Sequence, residues 1–147
     1  MKLKFTRKTW YFFLLAAAAI SMLGGFAVLG GMDFSALELV AMVQSVPEND
    51  RAIVNFGKRD SAFDAGLPQP IAHYRAGKVR EMVAKSIETT GIMDQHAMLK
   101  LTAEADVKVG DILVFSTSHP CLTFDKWKAL LLVDDSYKVL ETLETAF

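Results

Sequence analysis

Apolar positions fall into three regimes along this chain. Residues 9–32 form a run of 24 without one charged side chain, residues 34–43 are apolar almost all round, and from residue 97 short aliphatic and β-branched runs alternate with turn-forming clusters. The first regime predicts a transmembrane helix, because a helix rises about 1.5 Å per residue and roughly 20 residues cross the hydrocarbon layer. A cleaved secretory signal is the alternative, with cleavage near Ala19 or Ala27. The run continues through Ile20, Met22, Leu23, Phe26, Val28 and Leu29, and that continuation favours a retained anchor.

The second regime predicts a helix over residues 35–46. Ser35 is placed as N-cap and Glu38 stands three residues on, the spacing of a capping box. Phe34, Leu37, Leu39, Val40, Met42 and Val43 cover more than one face of it, so it must be buried somewhere, in the domain core, at the membrane surface or against a partner protein. After the turn at Pro47-Glu48-Asn49-Asp50, residues 51–56 read as a strand and residues 58–69 as a polar loop. A second helix then starts with Pro70 in its first turn. It carries the stripe Tyr74, Val79, Met82, Val83 and Ile87 and stops at Thr90-Gly91.

In the third regime, strands are expected over residues 97–103, 111–117, 127–133 and 138–145, the last two joined by the turn Asp134-Asp135-Ser136. The fold class expected is α+β: an N-terminal transmembrane helix followed by a small domain with a mostly antiparallel sheet and one or two packed helices. The corresponding division is a cytoplasmic basic tail over 1–8, the transmembrane helix over 9–32, a juxtamembrane helix and linker over 33–50, and an exported domain over 51–147.

Charge gives this layout a direction. Lys2, Lys4, Arg7 and Lys8 precede the apolar run, and only Arg51 follows it closely, so the N-terminus is expected on the cytoplasmic side. The remaining 12 Lys and Arg face all 17 Asp and Glu, a net charge of −5 beyond the tail. That balance argues against nucleic acid as a partner. Within the run, Ala17, Ser21 and Gly25 recur at four-residue spacing, which lines small side chains along one helical stripe where another span packs closely. Leu37 and Val40 on the following helix are the other candidate contacts.

Chemistry-bearing motifs are sparse. Ser118-His119-Pro120-Cys121 holds the only cysteine, and His73, His96 and His119 are the only histidines. His119 and Cys121 stand two apart with a proline between them, and no CxxC or HxxxH spacing accompanies them, so neither a catalytic set nor a metal site is predicted. Asp134 and Asp135 read as turn chemistry, and Asp60 and Asp64, flanking Phe63, as solvent-facing charge. No glycine-rich phosphate loop is present, and no cofactor is expected.

The sequence is therefore read as a single-pass, inner-membrane accessory or assembly subunit with a periplasmic C-terminal domain. Its expected partners are membrane lipid and other membrane or periplasmic proteins. The alternatives are a secreted or periplasmic binding or inhibitor protein released by signal cleavage, and a thiol-dependent enzyme using Cys121.

Overall fold

The computed structural model describes residues 2–6 as backbone and residues 36–146 in full. Residues 37–48 decide the architecture. Leu37, Leu39, Ala41 and Val43 are buried, whereas Glu38, Val40, Met42 and Gln44 between them are half-buried or exposed. A period of two belongs to a strand, so the helix expected over 35–46 is instead a 12-residue strand, Leu37–Glu48. The sequence looked apolar all round because the outward positions Val40 and Met42 are themselves apolar.

In chain order the elements are β1 (Lys2–Thr6), β2 (Leu37–Glu48), β3 (Arg51–Val54), β4 (Pro70–Arg75), β5 (Lys78–Arg80), β6 (Ile87–Ile92), β7 (Ala97–Leu101), β8 (Ile112–Ser116), the helix α1 (Pro120–Phe124), β9 (Ala129–Val133) and β10 (Val139–Glu144). The second expected helix is replaced by β4, β5 and β6. Ala76 (φ 50°) and Gly77 (φ 75°) both take left-handed backbone, and they form the two-residue turn that joins β4 to β5. The glycine that weakened the helical reading is the residue that makes this hairpin.

Strand β2 is long enough to serve two curved sheets. On one side of it the order runs β1, β9, β10, and on the other β8, β4, β5; its C-terminal half also pairs with β3, which leads to β7 and β6. All pairings are antiparallel except β1 with β9. Between β6 and the start of β4, the Gln69 side chain completes the wrap. Its amide oxygen accepts from Thr89 N at 3.1 Å and its amide nitrogen donates to Thr89 O at 3.3 Å, as a neighbouring strand would. The enclosed core holds Leu39, Val43, Val54, Phe56, Leu99, Leu113 and Phe115, with the rings of Phe56 and Phe115 edge-on at 4.7 Å.

The α+β expectation is thus corrected to a mostly-sheet domain whose one described helix is five residues long. The helix expected over 9–32 lies outside the described residues, as do Ala17, Ser21 and Gly25. Among the described residues no helix is long and apolar enough to cross a membrane. Strand β1 bears directly on the expected topology. Lys2–Thr6 lies between β2 and β9 in one hydrogen-bonded sheet, an arrangement closed to a tail held on the opposite face of a bilayer from its domain. Leu37, one of the two candidate contacts after the apolar run, is 3% exposed in the core, and Val40 is half-buried opposite Val114 of β8.

Candidate functional site

The site is built where a loop after β3 meets the short helix after β8. Gly57 starts the loop because nothing larger fits: a Cβ there would stand 2.4 Å from the backbone of Met93 and Asp94. This close approach lets Lys58 N donate to Met93 O at 2.8 Å and Arg59 N to Asp94 O at 3.2 Å. The loop then closes on itself, with Gly57 N donating to Asp60 Oδ2 at 2.8 Å. Partial burial pushes the Asp60 carboxyl above its ordinary range, against the opposing pull of that Gly57 N–H.

Helix α1 begins with Pro120 at its first position, where the missing N–H costs nothing. Its N-cap is His119, in extended backbone (φ −136°), and the histidine side chain makes no capping hydrogen bond. That side chain turns to the loop instead. His119 Nδ1 lies 2.8 Å from Asp64 Oδ2, and this hydrogen bond holds the Asp64 carboxyl below its usual range.

Three further bonds fasten loop to helix around this pair. Ala62 N donates to Thr123 Oγ1 at 3.1 Å, Trp127 Nε1 donates to Asp60 O at 2.7 Å, and Ser118 Oγ donates to Gly66 O at 2.7 Å. Thr123 is fully buried, and its hydroxyl also donates to His119 O at 3.0 Å, so one side chain ties the loop to the N-cap. The loop pair read as solvent-facing charge is therefore structural at Asp60 and chemical at Asp64.

An imidazole whose Nδ1–H points at a carboxylate carries its lone pair on Nε2. His119 is part-exposed, and Cys121, two residues on, is exposed. An imidazole nitrogen and a thiol on one rigid turn form a donor pair suited to zinc, and a carboxylate behind the histidine is the usual partner of a metal-bound imidazole. The residues present thus fit a metal ion. Among the described residues no cluster of three or more His, Cys, Asp or Glu is arranged to hold one, so this chain's described share of such a site is two donors.

The sequence had singled out His119 and Cys121 without predicting a metal site. Asp64 lies 55 residues from His119, and no spacing could connect them. His73, by contrast, belongs to a structural network. It is buried and lies 2.8 Å from Asp111, which also accepts from Arg75 Nε at 2.8 Å and from Lys108 N at 2.8 Å.

Residues 36–133 match the family described as "Putative serine dehydratase domain". Among curated proteins none matches. Solved structures share the fold at low identity. D-threonine aldolase from Filomicrobium marinum is 20% identical with a TM-score of 0.60, and the match covers 74% of this chain and 27% of that one. D-threo-3-hydroxyaspartate dehydratase from Delftia sp. HT23 is 22% identical with a TM-score of 0.57, covering 76% and 32%. An alanine racemase-like protein from Idiomarina loihiensis is 16% identical with a TM-score of 0.58, again covering 76% and 32%. The match spans about a third or less of each of these chains.

These findings overturn the reading of a membrane-anchored accessory subunit, and with it the inner-membrane placement and the periplasmic binding or inhibitor alternative. The match begins at residue 36, within the segment assigned to a juxtamembrane helix, and the shared fold is that of proteins named as an aldolase and a dehydratase. The membrane reading rested on the length and basic flank of the apolar run at 9–32, which lies outside both the described residues and the family match. With two thirds of its length in that match, the chain belongs to the serine dehydratase domain family.

Proposed function

We propose that this chain is the metal-holding domain of an enzyme acting on a β-hydroxy-α-amino acid. The observation that carries the proposal is the His119–Asp64 pair beside Cys121, which leaves imidazole Nε2 and a thiol free on a pinned turn. The names of the family and of two fold neighbours support the substrate class, since serine, threonine and 3-hydroxyaspartate all carry a hydroxyl on the β-carbon. Among the structures sharing the fold, D-threo-3-hydroxyaspartate dehydratase has been solved as a His→Ala variant and as a Cys→Ala variant in a metal-free form, the two altered positions two residues apart. His119 and Cys121 have that spacing.

A divalent ion held here would supply Lewis acidity to the substrate's β-hydroxyl oxygen, the leaving atom in dehydration. His119 and Cys121 would hold such an ion through an imidazole nitrogen and a thiolate, leaving room in its shell for substrate. Asp64, Thr123 and Ser118 fix the turn that presents them. The α-carbon of the same reaction calls for an electron sink, the role of pyridoxal phosphate with its Schiff-base lysine. Within residues 36–146 every lysine is exposed or half-buried, so those residues do not fit that cofactor and no step is derived through it.

The test is metal uptake by the full chain. After chelation and dialysis, Zn2+ titration should show about one site per chain, and Co2+ should give the near-ultraviolet charge-transfer band of a thiolate ligand. Both signals should disappear in Cys121→Ser and in His119→Ala. A chain that takes up neither ion, or variants that bind as well as the parent, would overturn the reading.

A further inference from the structure

His119 and His73 each meet a carboxylate, but through opposite ring nitrogens. His73 turns Nε2 to Asp111 at 2.8 Å inside the sheet, whereas His119 turns Nδ1 to Asp64 at 2.8 Å at the surface. The Asp64 contact is made by a loop secured at several points. Gly57 anchors its start, Asp60 O accepts from Trp127, Ala62 N reaches Thr123, and Gly66 O accepts from Ser118. Asp64 falls between the last two anchors, so its carboxylate is delivered to His119 by backbone that has little freedom to withdraw it.

We propose that Asp64 is the positioning residue of the site: it holds His119 in the tautomer and orientation that leave Nε2 free for a ligand. The proposal rests on the metal reading above for its consequence, but its structural content stands alone. A neutral imidazole in water prefers neither ring nitrogen strongly, so an unpartnered His119 would divide itself between tautomers and swing about its side-chain bonds. With Asp64 accepting from Nδ1, one tautomer and one ring orientation remain. Because Asp64 and His119 are 50% and 41% exposed, their pairing adds little to folding, and what it fixes is direction.

The experiment uses the full chain labelled with 15N and freed of metal. Long-range proton–nitrogen correlation reads each histidine's tautomer, with His119→Ala assigning the signals. His119 should show the proton on Nδ1, and His73 the proton on Nε2, an internal contrast within one spectrum. In Asp64→Ala the His119 signals should move to a mixture of tautomers while those of His73 stay. Zn2+ affinity should fall about 10- to 100-fold, with Asp64→Asn retaining part of it through its amide oxygen. The thermal midpoint of the metal-free variant should stay within about 2 °C of the parent, as expected for an exposed pair. A merely structural Asp64 would lower that midpoint and leave the tautomer as it was. An unchanged His119 tautomer in Asp64→Ala overturns the proposal, as does unchanged affinity in a chain that binds zinc. If the parent chain binds no zinc, the functional reading falls, and the tautomer result still decides the role of Asp64.

Discussion

Replacing Thr123 by Val tests whether the loop and helix are held together as described. The two side chains have almost the same shape, so packing is preserved and only the hydroxyl is lost. In the native chain that hydroxyl accepts from Ala62 N at 3.1 Å and donates to His119 O at 3.0 Å, and both Thr123 and Ala62 are fully buried. Valine leaves the Ala62 N–H without an acceptor in a dry environment, a penalty of about 1–3 kcal/mol. His119 O is affected less, because it still accepts from Thr123 N at 3.2 Å. The expected total is about 2–3 kcal/mol, which for a domain of this size lowers the melting midpoint by roughly 6–15 °C. Urea denaturation followed by tryptophan fluorescence suits the measurement, since Trp127 is bonded to the same loop. Thr123→Ser keeps the hydroxyl, loses one methyl, and should cost about 1 kcal/mol. Equal stability of the Val and Ser variants would refute the argument, because it would mean that the Ala62 N–H never depended on this oxygen.

Gly57→Ala should destabilise the chain by about 1–3 kcal/mol in the same assay, because the new methyl meets rigid backbone at Met93 and Asp94; a neutral effect would show that the loop does not approach β6 and β7 as closely as described. Burial opposes ionisation of Asp111, but the Arg75 guanidinium, the Lys108 N–H and His73 outweigh it and hold the carboxyl at about 2. A depressed carboxyl stabilises the fold above its unfolded pKa of roughly 4 and loses that contribution as the pH falls to about 2. Asp111→Asn should therefore be less stable than the parent at pH 7, and the gap should narrow as the pH falls from about 4 to about 2; urea midpoints across that range check this, and a gap that stays constant would count against it.

Much of the sheet was legible because its later strands are punctuated. Turn clusters flank β7, β8, β9 and β10, and the observed ranges fall inside the expected ones. The Asp134 side chain that suggested the last turn accepts from Ser136 N at 2.9 Å and from Lys138 N at 3.0 Å. Strand β2 escaped because its outward positions Val40 and Met42 are themselves apolar, which hides the period of two in the sequence although it is plain in the burial. Over residues 70–92, a helical stripe was matched by accident across a hairpin whose signal was Ala76-Gly77.

What the sequence determined by itself was local: the position of the later strands, bounded by turn formers. Only the tertiary structure decided that Asp64 faces His119, that Thr123 joins loop to helix, and that Lys2–Thr6 is a strand within the same sheet as β2 and β9. Hydrogen bonds between residues far apart in sequence leave no periodicity to read, because either partner alone is an ordinary polar residue. Their meaning arises when chain closure brings the two within about 3 Å.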